Sequence, residues 1–430
     1  MTASRFELLR EITSAGGCSH PVRLKGEFVN QLTGEVNLRQ IRLACKDRRH
    51  VVCPSCSYLY KADAWIVVSA GMVGGKGVPE SVSSHPRLFM TLTAPSFGRV
   101  HVRHENGACR TRGSKLCSHG RELLCERSHE PDSSVLGTPL CADCFDYRGA
   151  VLWNAQSARL WNRTIEQVRR RLALSEGIAP NEFRRHARLS YLKVAEFQRR
   201  GLVHFHVVLR ADGSGEPFVE PPSFLTTTRL ADVIADVVSE FSVVGIDQEV
   251  VPWGAQFKIS DASVLERDDL RIASYIAKYS TKSSDGSVDF ARRFHSRREI
   301  RALHGATQLQ RLALTTWDLA LEPELRVLNL RLHSHAFGYR GQYITKSHGF
   351  STRFGDLREA RAKYMAGPNS DDPMTGTFIY EGRGYDDPRA SGLAQLLHEA
   401  KVEVRIATRE SAMTSRGITH VIPRETSSDE

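Results

Sequence analysis

Alternating apolar and polar positions make residues 189–210 the best-defined element of this sequence. Two such runs flank an Arg-Arg-Gly tripeptide at positions 199–201. A glycine at the third position of a three-residue loop can adopt a positive φ, which closes a β-hairpin with a bulge. The pattern therefore predicts two antiparallel strands in which Glu196 lies opposite His204. The alternation also predicts that Val203, Phe205 and Val207 point into a core.

The same reading predicts the elements around this hairpin. Residues 87–93 alternate as a strand that ends at an Ala-Pro pair, and residues 257–260 form a short strand. Apolar residues recur on one arc over 150–174 and over 230–241, which predicts two helices. Beyond residue 302 the pattern predicts short helices that alternate with loops.

Residues 268–282 form a predicted amphipathic helix that two acids open. Tyr275 and Tyr279 lie four positions apart, so they share one helix face with Lys278 and Lys282. Apolar residues occupy the opposite arc. A tyrosine pair on the lysine side of a helix is poorly placed for packing and well placed to meet phosphate.

Composition narrows the class of protein. A chain of 430 residues predicts two or three domains, and 41% hydrophobic with 25% charged residues is typical of a soluble globular protein. No apolar run reaches membrane-spanning length and the N-terminus lacks a signal-peptide pattern, so we expect a cytoplasmic protein with no membrane partner. A net charge of +10 favours a polyanionic partner.

Cysteine usage indicates structural zinc. All nine cysteines precede residue 145, and disulfides are uncommon in the cytosol. Two Cys-x-x-Cys pairs predict one or two zinc ions, although a redox pair or isolated buried thiols are alternatives. The candidate ligands are Cys18, Cys45, Cys53 and Cys56, with His20 as a substitute, and Cys125, His129, Cys141 and Cys144, with Cys109, Cys117 and His119 in competition.

A second kind of metal site is predicted on the hairpin. His204 and His206 share one side of their strand, and Glu196 faces them across the ladder. Two imidazoles and a carboxylate suit a divalent metal that keeps open positions for water or phosphate. The alternative is that these polar side chains only line the solvated face of a sheet.

At this point the sequence resembles a known family. The His-Phe-His run at 204–206 resembles the His-hydrophobe-His motif of HUH endonucleases, and the Tyr-Ile-Ala-Lys-Tyr run at 275–279 resembles the paired-tyrosine motif of rolling-circle replication initiators. Residues 89–93 are similar to the first motif of that family. Over residues 15–400 the chain resembles RepSA-type initiators of actinobacterial plasmids and integrative elements, with support from 53–56, 85–97, 139–144 and 337–341.

The resemblance implies an α+β fold, in which an HUH nuclease core has a central antiparallel sheet with flanking helices. The expected organisation is an N-terminal zinc-binding module at 1–80, a nuclease domain at 85–300 with a cysteine-rich insertion at about 105–148, a mixed C-terminal region at 301–415 that is a candidate for DNA binding, and a disordered tail at 416–430.

The resemblance also implies a function. Tyr275 would attack single-stranded origin DNA and form a 5′-phosphotyrosine, Tyr279 would carry out a second strand transfer, and Lys278 would stabilise charge. His204, His206 and Glu196 would hold Mg²⁺ or Mn²⁺. The basic candidates for DNA contact are Arg199, Arg200, Lys282, Arg292 and Arg293. Expected partners are a host helicase and polymerase; a two-tyrosine transposase and a non-catalytic zinc-dependent DNA-binding repressor are the alternatives.

Overall fold

A computed structural model describes residues 4–30, 34–104, 107–110, 116–262, 266–281, 290–303, 307–366 and 374–414. The chain divides into two compact units. Among the described residues, one unit combines those up to Ala64 with those from Arg353 to Thr414, and the other contains Trp65–Thr352. The tail predicted to be disordered, 416–430, lies outside the described residues.

The described elements are mixed helices and strands. Helices α1 to α10 cover Arg5–Ser14, Pro54–Val73, Tyr147–Ser175, Phe183–His186, Thr227–Glu240, Glu266–Tyr279, Arg297–Arg301, Thr307–Leu319, Phe354–Ala366 and Pro388–Thr414. Strands β1 to β12 cover Val22–Asn30, Val36–Leu43, Arg87–Leu92, Ala108–Arg110, Cys125–Ser128, Ala187–Phe197, Val203–Gly213, Ser242–Val244, Val250–Pro252, Phe257–Asp261, Ile344–Lys346 and Met374–Arg383. Every described strand pairing is antiparallel, so the predicted α+β class is confirmed.

The larger unit is built on a five-stranded sheet in the order β10-β3-β7-β6-β11. The predicted hairpin is its centre: β6 pairs with β7 so that Glu196 lies opposite His204, which confirms the predicted register. Gly201 closes the loop with a φ of +79°, and its N–H donates to the carbonyl of Gln198 at 2.8 Å. The left-handed backbone at this position explains why the loop ends in glycine.

One face of this sheet carries the hydrophobic core. Phe205 and Tyr191 point to this face, where they meet the rings of Trp253 at 5.8 Å and Trp161 at 5.1 Å. Trp161 belongs to α3, which is the long helix that the sequence predicted. Lys193 shares the core face, with Nζ 3.7 Å from the ring centre of Phe205, and burial lowers the pKa of its amine to about 7. A lysine in this position is largely stripped of water.

A buried ion-pair cluster organises the opposite face. The guanidinium of Arg210 donates to both carboxylate oxygens of Asp212, at 2.6 and 3.0 Å, and His85 Nδ1 lies 2.8 Å from the same carboxylate. Arg210 also donates to the backbone carbonyls of Gly71, at the end of α2, and of Phe350. Because these side chains are fully buried, the cluster fixes the end of α2 against the sheet through charge-assisted hydrogen bonds.

The smaller unit joins segments from both ends of the chain. Its sheet has the order β12-β1-β2, and Leu8 and Ile12 of α1 pack with Ala390 and Ala394 of α10. The predicted boundaries at residues 80–85 and 300–301 do not follow this division. The prediction assigned the two ends of the chain to different domains because they are far apart in sequence. In the structure, antiparallel pairing of β12 with β1 joins them in one unit. β11 likewise joins the central sheet as its edge beside β6.

Among the described helices, none combines the length and the apolar character that crossing a bilayer requires.

Candidate metal and tyrosine site

Three metal-binding side chains converge on the polar face of the hairpin. His204 Nε2 and His206 Nε2 each lie 3.0 Å from the same oxygen of Glu196, Oε2. The strand pairing causes this convergence, because opposite residues on neighbouring antiparallel strands share a face. The imidazole of His206 is fully buried and that of His204 is 11% exposed, so the cluster opens toward solvent at His204. Two nitrogens and one oxygen form a donor set suited to a divalent ion with free coordination positions.

Strand β3 supports the inner histidine. Thr91 lies opposite His206 in the ladder, and its Oγ1 is 3.2 Å from Nδ1 of that ring. A hydrogen bond at Nδ1 orients the ring so that Nε2 points to the cluster. Thr93, the last residue of the 89–93 run, has a different partner, because its hydroxyl donates to the carbonyl of Gln256. Thr91 lies two residues before Thr93, so strand alternation places both side chains on the same face of the sheet. This alternation could have identified Thr91 from the sequence as a neighbour of His206.

Helix α6 brings both tyrosines to the metal-binding cluster. The ring of Tyr275 meets that of His206 edge-on at 4.9 Å, and Tyr279 stacks on the same histidine at 5.1 Å. The two tyrosine rings are 4.5 Å apart, as expected for an i,i+4 pair on one helix face. Tyr275 is 38% exposed and Tyr279 only 6%, so Tyr275 is the more accessible phenol.

The opposite arc of α6 holds the helix in place. Ala273, Ile276 and Ala277 are fully buried, which confirms the predicted amphipathic pattern. On the polar side, Trp65 Nε1 donates to Ser274 Oγ at 3.2 Å. Lys278 is exposed, with Nζ 5.9 Å from the ring centre of Tyr279, so its ammonium lies at the rim of the tyrosine pair.

The basic candidates are distributed differently from the prediction. The Arg199 guanidinium donates to the carbonyls of Pro131 and Ser133, and Arg200 donates to the carbonyls of Ala94 and Pro95. Both side chains therefore tie the hairpin tip to neighbouring loops, a role that sequence reasoning missed because these partners are remote in sequence. Arg292 and Arg293 are exposed, and Arg292 Nη1 lies 3.3 Å from Glu299. Lys282 lies outside the described residues.

The cysteines fall into three groups, two of which include histidines, and each group could hold a metal ion. In the N-terminal tetrad of Cys18, Cys45, Cys53 and Cys56 the four sulfurs converge, with Cys18 Sγ 3.7 Å from Cys53 Sγ. This is the set that the sequence proposed. Tyr385 donates its hydroxyl to the carbonyl of Cys18 at 2.6 Å, and Ser391 donates to the carbonyl of Ser19, so the tetrad also anchors the C-terminal segment of the same unit.

The second predicted group is divided. Cys125 and His129 lie with His101 and Cys109, which we call the first insertion tetrad, whereas Cys141 and Cys144 lie with Cys117 and His119, the second insertion tetrad. Pairing of β4 with β5 explains the first grouping, because it brings Cys109 beside the start of β5. Cys125 and His129 therefore do not converge with Cys141 and Cys144, and the competing candidates Cys109, Cys117 and His119 complete the two groups together with His101.

Comparison with known proteins gives a consistent result. Residues 5–399 match the family model described as RepSA, replication initiator protein, pSAM2. A replication initiator protein from Streptomyces ambofaciens is 36% identical over 366 residues, which cover 82% of this chain and 76% of that protein. No solved structure gives a significant match.

Proposed function

The chain belongs to the RepSA family of replication initiator proteins, and from this premise we propose that it nicks and religates single-stranded origin DNA. The observation that supports this proposal is the convergence of two tyrosines, Glu196 and His204 on one buried histidine, His206. The arrangement has the composition of an HUH nuclease site. Family membership favours an initiator over the transposase alternative.

The donor set suits a bound divalent ion. His204, His206 and Glu196 would hold Mg²⁺ or Mn²⁺, with Thr91 accepting a hydrogen bond from Nδ1–H of His206 when Nε2 is the ligand atom. When bound, such an ion supplies Lewis-acid polarisation of the scissile phosphate. The 11% exposure of His204 leaves the cluster accessible to DNA on that side.

Tyr275 is the proposed nucleophile because it is the more exposed phenol. Its oxygen forms a bond to phosphorus while the bond from phosphorus to the 3′-oxygen breaks. The phenol loses a proton and the leaving 3′-oxygen gains one, so the products are a 5′-phosphotyrosine and a free 3′-hydroxyl. Because the ester keeps the free energy of the broken linkage, attack by another 3′-hydroxyl reverses the step and religates the strand. Lys278, at the rim, would offset phosphate charge.

Tyr279 is the proposed acceptor for a second strand transfer. Its ring is 4.5 Å from that of Tyr275 and stacks on His206, so both phenols would reach a phosphate bound beside His206 in turn. A second tyrosine allows the initiator to cut again while the first 5′ end stays covalently attached.

The remaining parts of the proposal concern binding. We assign structural zinc to the N-terminal tetrad, because a tetrahedral site of four thiolates is a typical zinc site. DNA contacts are assigned to exposed basic residues of the larger unit, including Arg292 and Arg293, and to the C-terminal region at 301–415. Single-stranded DNA is the substrate. A host helicase would unwind the nicked origin, and a host polymerase would extend its free 3′-hydroxyl.

A nicking assay on single-stranded oligonucleotides tests the proposal. With Mn²⁺ or Mg²⁺, wild-type protein should form an adduct that survives denaturing electrophoresis, and Tyr275→Phe should lower initial nicking at least about 100-fold because the principal nucleophile is lost. Tyr279→Phe should nick at nearly the wild-type rate but fail to release a circular single strand. Peptide mapping of the adduct identifies the attached residue.

Matched controls separate chemistry from folding. Tyr191→Phe changes a phenol on the opposite face of the sheet, and His333→Ala changes a histidine of the His-Ser-His sequence at 333–335, so neither should affect nicking. DNA binding without any nick or adduct would contradict the nuclease proposal and favour the repressor alternative. DNA attached only to Tyr275, with normal circle release by Tyr279→Phe, would make this a one-tyrosine enzyme.

A further inference from the structure

Every cysteine in the chain lies in one of the three tetrads. The sequence contains nine cysteines, and the tetrads use four, two and three of them, with none in a disulfide. Three histidines, His101, His119 and His129, complete the twelve positions. Since free thiols scattered through a fold have no reason to converge in fours, the grouping itself points to metal binding.

The two insertion tetrads alternate along the chain. Positions 101 and 109 belong to the first tetrad, 117 and 119 to the second, 125 and 129 again to the first, and 141 and 144 again to the second. Each tetrad therefore closes a loop that contains ligands of the other. This interleaving explains why ligand spacing alone paired Cys125 with Cys141.

Distances within the tetrads fit tetrahedral zinc. With Zn–S near 2.3 Å and Zn–N near 2.0 Å, neighbouring sulfur and nitrogen ligands should be about 3.6 Å apart. In the first tetrad Cys109 Sγ is 3.7 Å from His101 Nδ1 and Cys125 Sγ is 3.5 Å from His129 Nε2. In the second, His119 Nδ1 is 3.2 Å from Cys144 Sγ and 3.9 Å from Cys141 Sγ.

The segment from residue 130 to residue 140 supports the tip of the β6–β7 hairpin. It connects His129 of the first tetrad to Cys141 of the second, and the Arg199 guanidinium donates to its carbonyls at Pro131 and Ser133, at 2.6 and 3.1 Å. Gly137 approaches the backbone of Arg199 so closely that an added Cβ would lie 2.6 Å from its carbonyl carbon. The same segment pairs with His101, whose N–H donates to Thr138 at 2.8 Å.

We propose that the insertion binds two zinc ions, one in each insertion tetrad, and that these ions hold the segment on which the hairpin tip rests. The insertion is poor in apolar contacts of its own, so metal binding supplies the order that a hydrophobic core would otherwise give. Arg199 then transmits that order to the hairpin that carries Glu196 and His204. The zinc assignment does not depend on the nicking activity.

Zinc stoichiometry of the full-length protein tests the first half of the proposal. A His204→Ala, His206→Ala background removes the nuclease site from the count, and native mass spectrometry should then give three zinc ions per chain. Cys109→Ser and Cys141→Ser should each lose one ion, and their combination should lose two. The control His104→Ala changes a histidine outside the tetrads and should lose none.

The alternative of one shared insertion site makes different predictions. It gives two ions in total, and Cys125→Ser combined with Cys141→Ser would then remove only one. Zinc-edge X-ray absorption of the same background provides a readout without tetrad variants, should these fail to fold. Three occupied tetrads have nine sulfur ligands and three nitrogen ligands, which is three sulfurs per nitrogen. The N-terminal tetrad with one shared site of three cysteines and one histidine would have seven sulfurs per nitrogen. Two ions with the second ratio would overturn the proposal.

Hydrogen exchange tests the link to the hairpin. Arg199→Ala should accelerate exchange of the Gln198 and Gly201 amides at least about tenfold, because two charge-assisted hydrogen bonds are lost, while all three zinc ions stay bound. Cys109→Ser should accelerate the same amides, and Cys53→Ser, in the N-terminal tetrad, should not. Unchanged protection in both Arg199→Ala and Cys109→Ser would refute the supporting role of the insertion.

Discussion

Lys193 offers a quantitative test of the packing on the core face of the central sheet. Its amine is buried against the ring of Phe205, and its pKa falls to about 7, whereas a solvated lysine has a pKa of about 10.4. The folded chain therefore binds fewer protons than the unfolded chain between about pH 7 and pH 10. Free energy of unfolding should rise with pH in that interval and stop changing below it.

The size of the effect follows from the two pKa values. Protonation of this amine stabilises the unfolded chain more than the folded chain. The difference lowers the free energy of unfolding by about 4 kcal/mol at pH 7 and by about 2 kcal/mol at pH 9. Methionine keeps most of the buried volume and has no charge to desolvate. We expect Lys193→Met to raise the free energy of unfolding by roughly 2–4 kcal/mol at pH 7, and this advantage should shrink by about 2 kcal/mol at pH 9.

Urea unfolding followed by tryptophan fluorescence measures this directly. The chain has five tryptophans, which are Trp65, Trp153, Trp161, Trp253 and Trp317. All lie in the larger unit, so the signal follows that unit alone. Lys258→Met, at an exposed lysine of β10, is the control and should change stability by less than about 0.5 kcal/mol at either pH. A Lys193→Met advantage that stays constant with pH, or a loss of stability at pH 7, would refute the reasoning.

Three further predictions concern the hairpin and its supports. Combined His204→Ala and His206→Ala should abolish metal-dependent cleavage while the Kd for single-stranded DNA changes less than about threefold, because affinity rests on basic side chains; full cleavage would rule out the metal site. Arg210→Met should lower the free energy of unfolding by about 3–5 kcal/mol, since the buried Asp212 carboxylate loses both hydrogen bonds from the guanidinium and keeps its contact with His85, and a loss below about 1 kcal/mol in urea would contradict this. Gly201→Val should destabilise by more than about 1 kcal/mol through strain at positive φ, measured by the same fluorescence.

Local pattern was sufficient to predict the centre of the larger unit. The hairpin register followed from strand alternation and from one glycine at the loop, and both are encoded within about twenty residues. The two tyrosines were predictable for the same reason, because helical spacing alone places Tyr275 and Tyr279 on one face. Their proximity to His206 could be anticipated only from resemblance to a family, since nothing local pairs α6 with β7.

Long-range pairing was beyond the reach of pattern. β12 joins β1 across more than three hundred residues, and no local signal in residues 374–383 names its partner. Cysteine spacing could not assign the ligands of the insertion for a related reason. The ligands of the two insertion tetrads alternate along the chain, so spacing does not show which of them belong to the same tetrad. Arg199 and Arg200 stay candidates for DNA contact, but the backbone carbonyls that accept their hydrogen bonds belong to remote loops, which local sequence does not identify.

The smaller unit contains segments from both ends of the chain, and this determines the order in which the two units can fold during translation. Among the described residues the larger unit is one continuous segment, so it can fold as soon as Thr352 has emerged. β1 must wait for β12, and until then one of its edges has no strand to pair with. Translation stalled before residue 374 would therefore leave an unprotected N-terminal strand attached to a folded larger unit, and such a chain should be the form that aggregates or is degraded first.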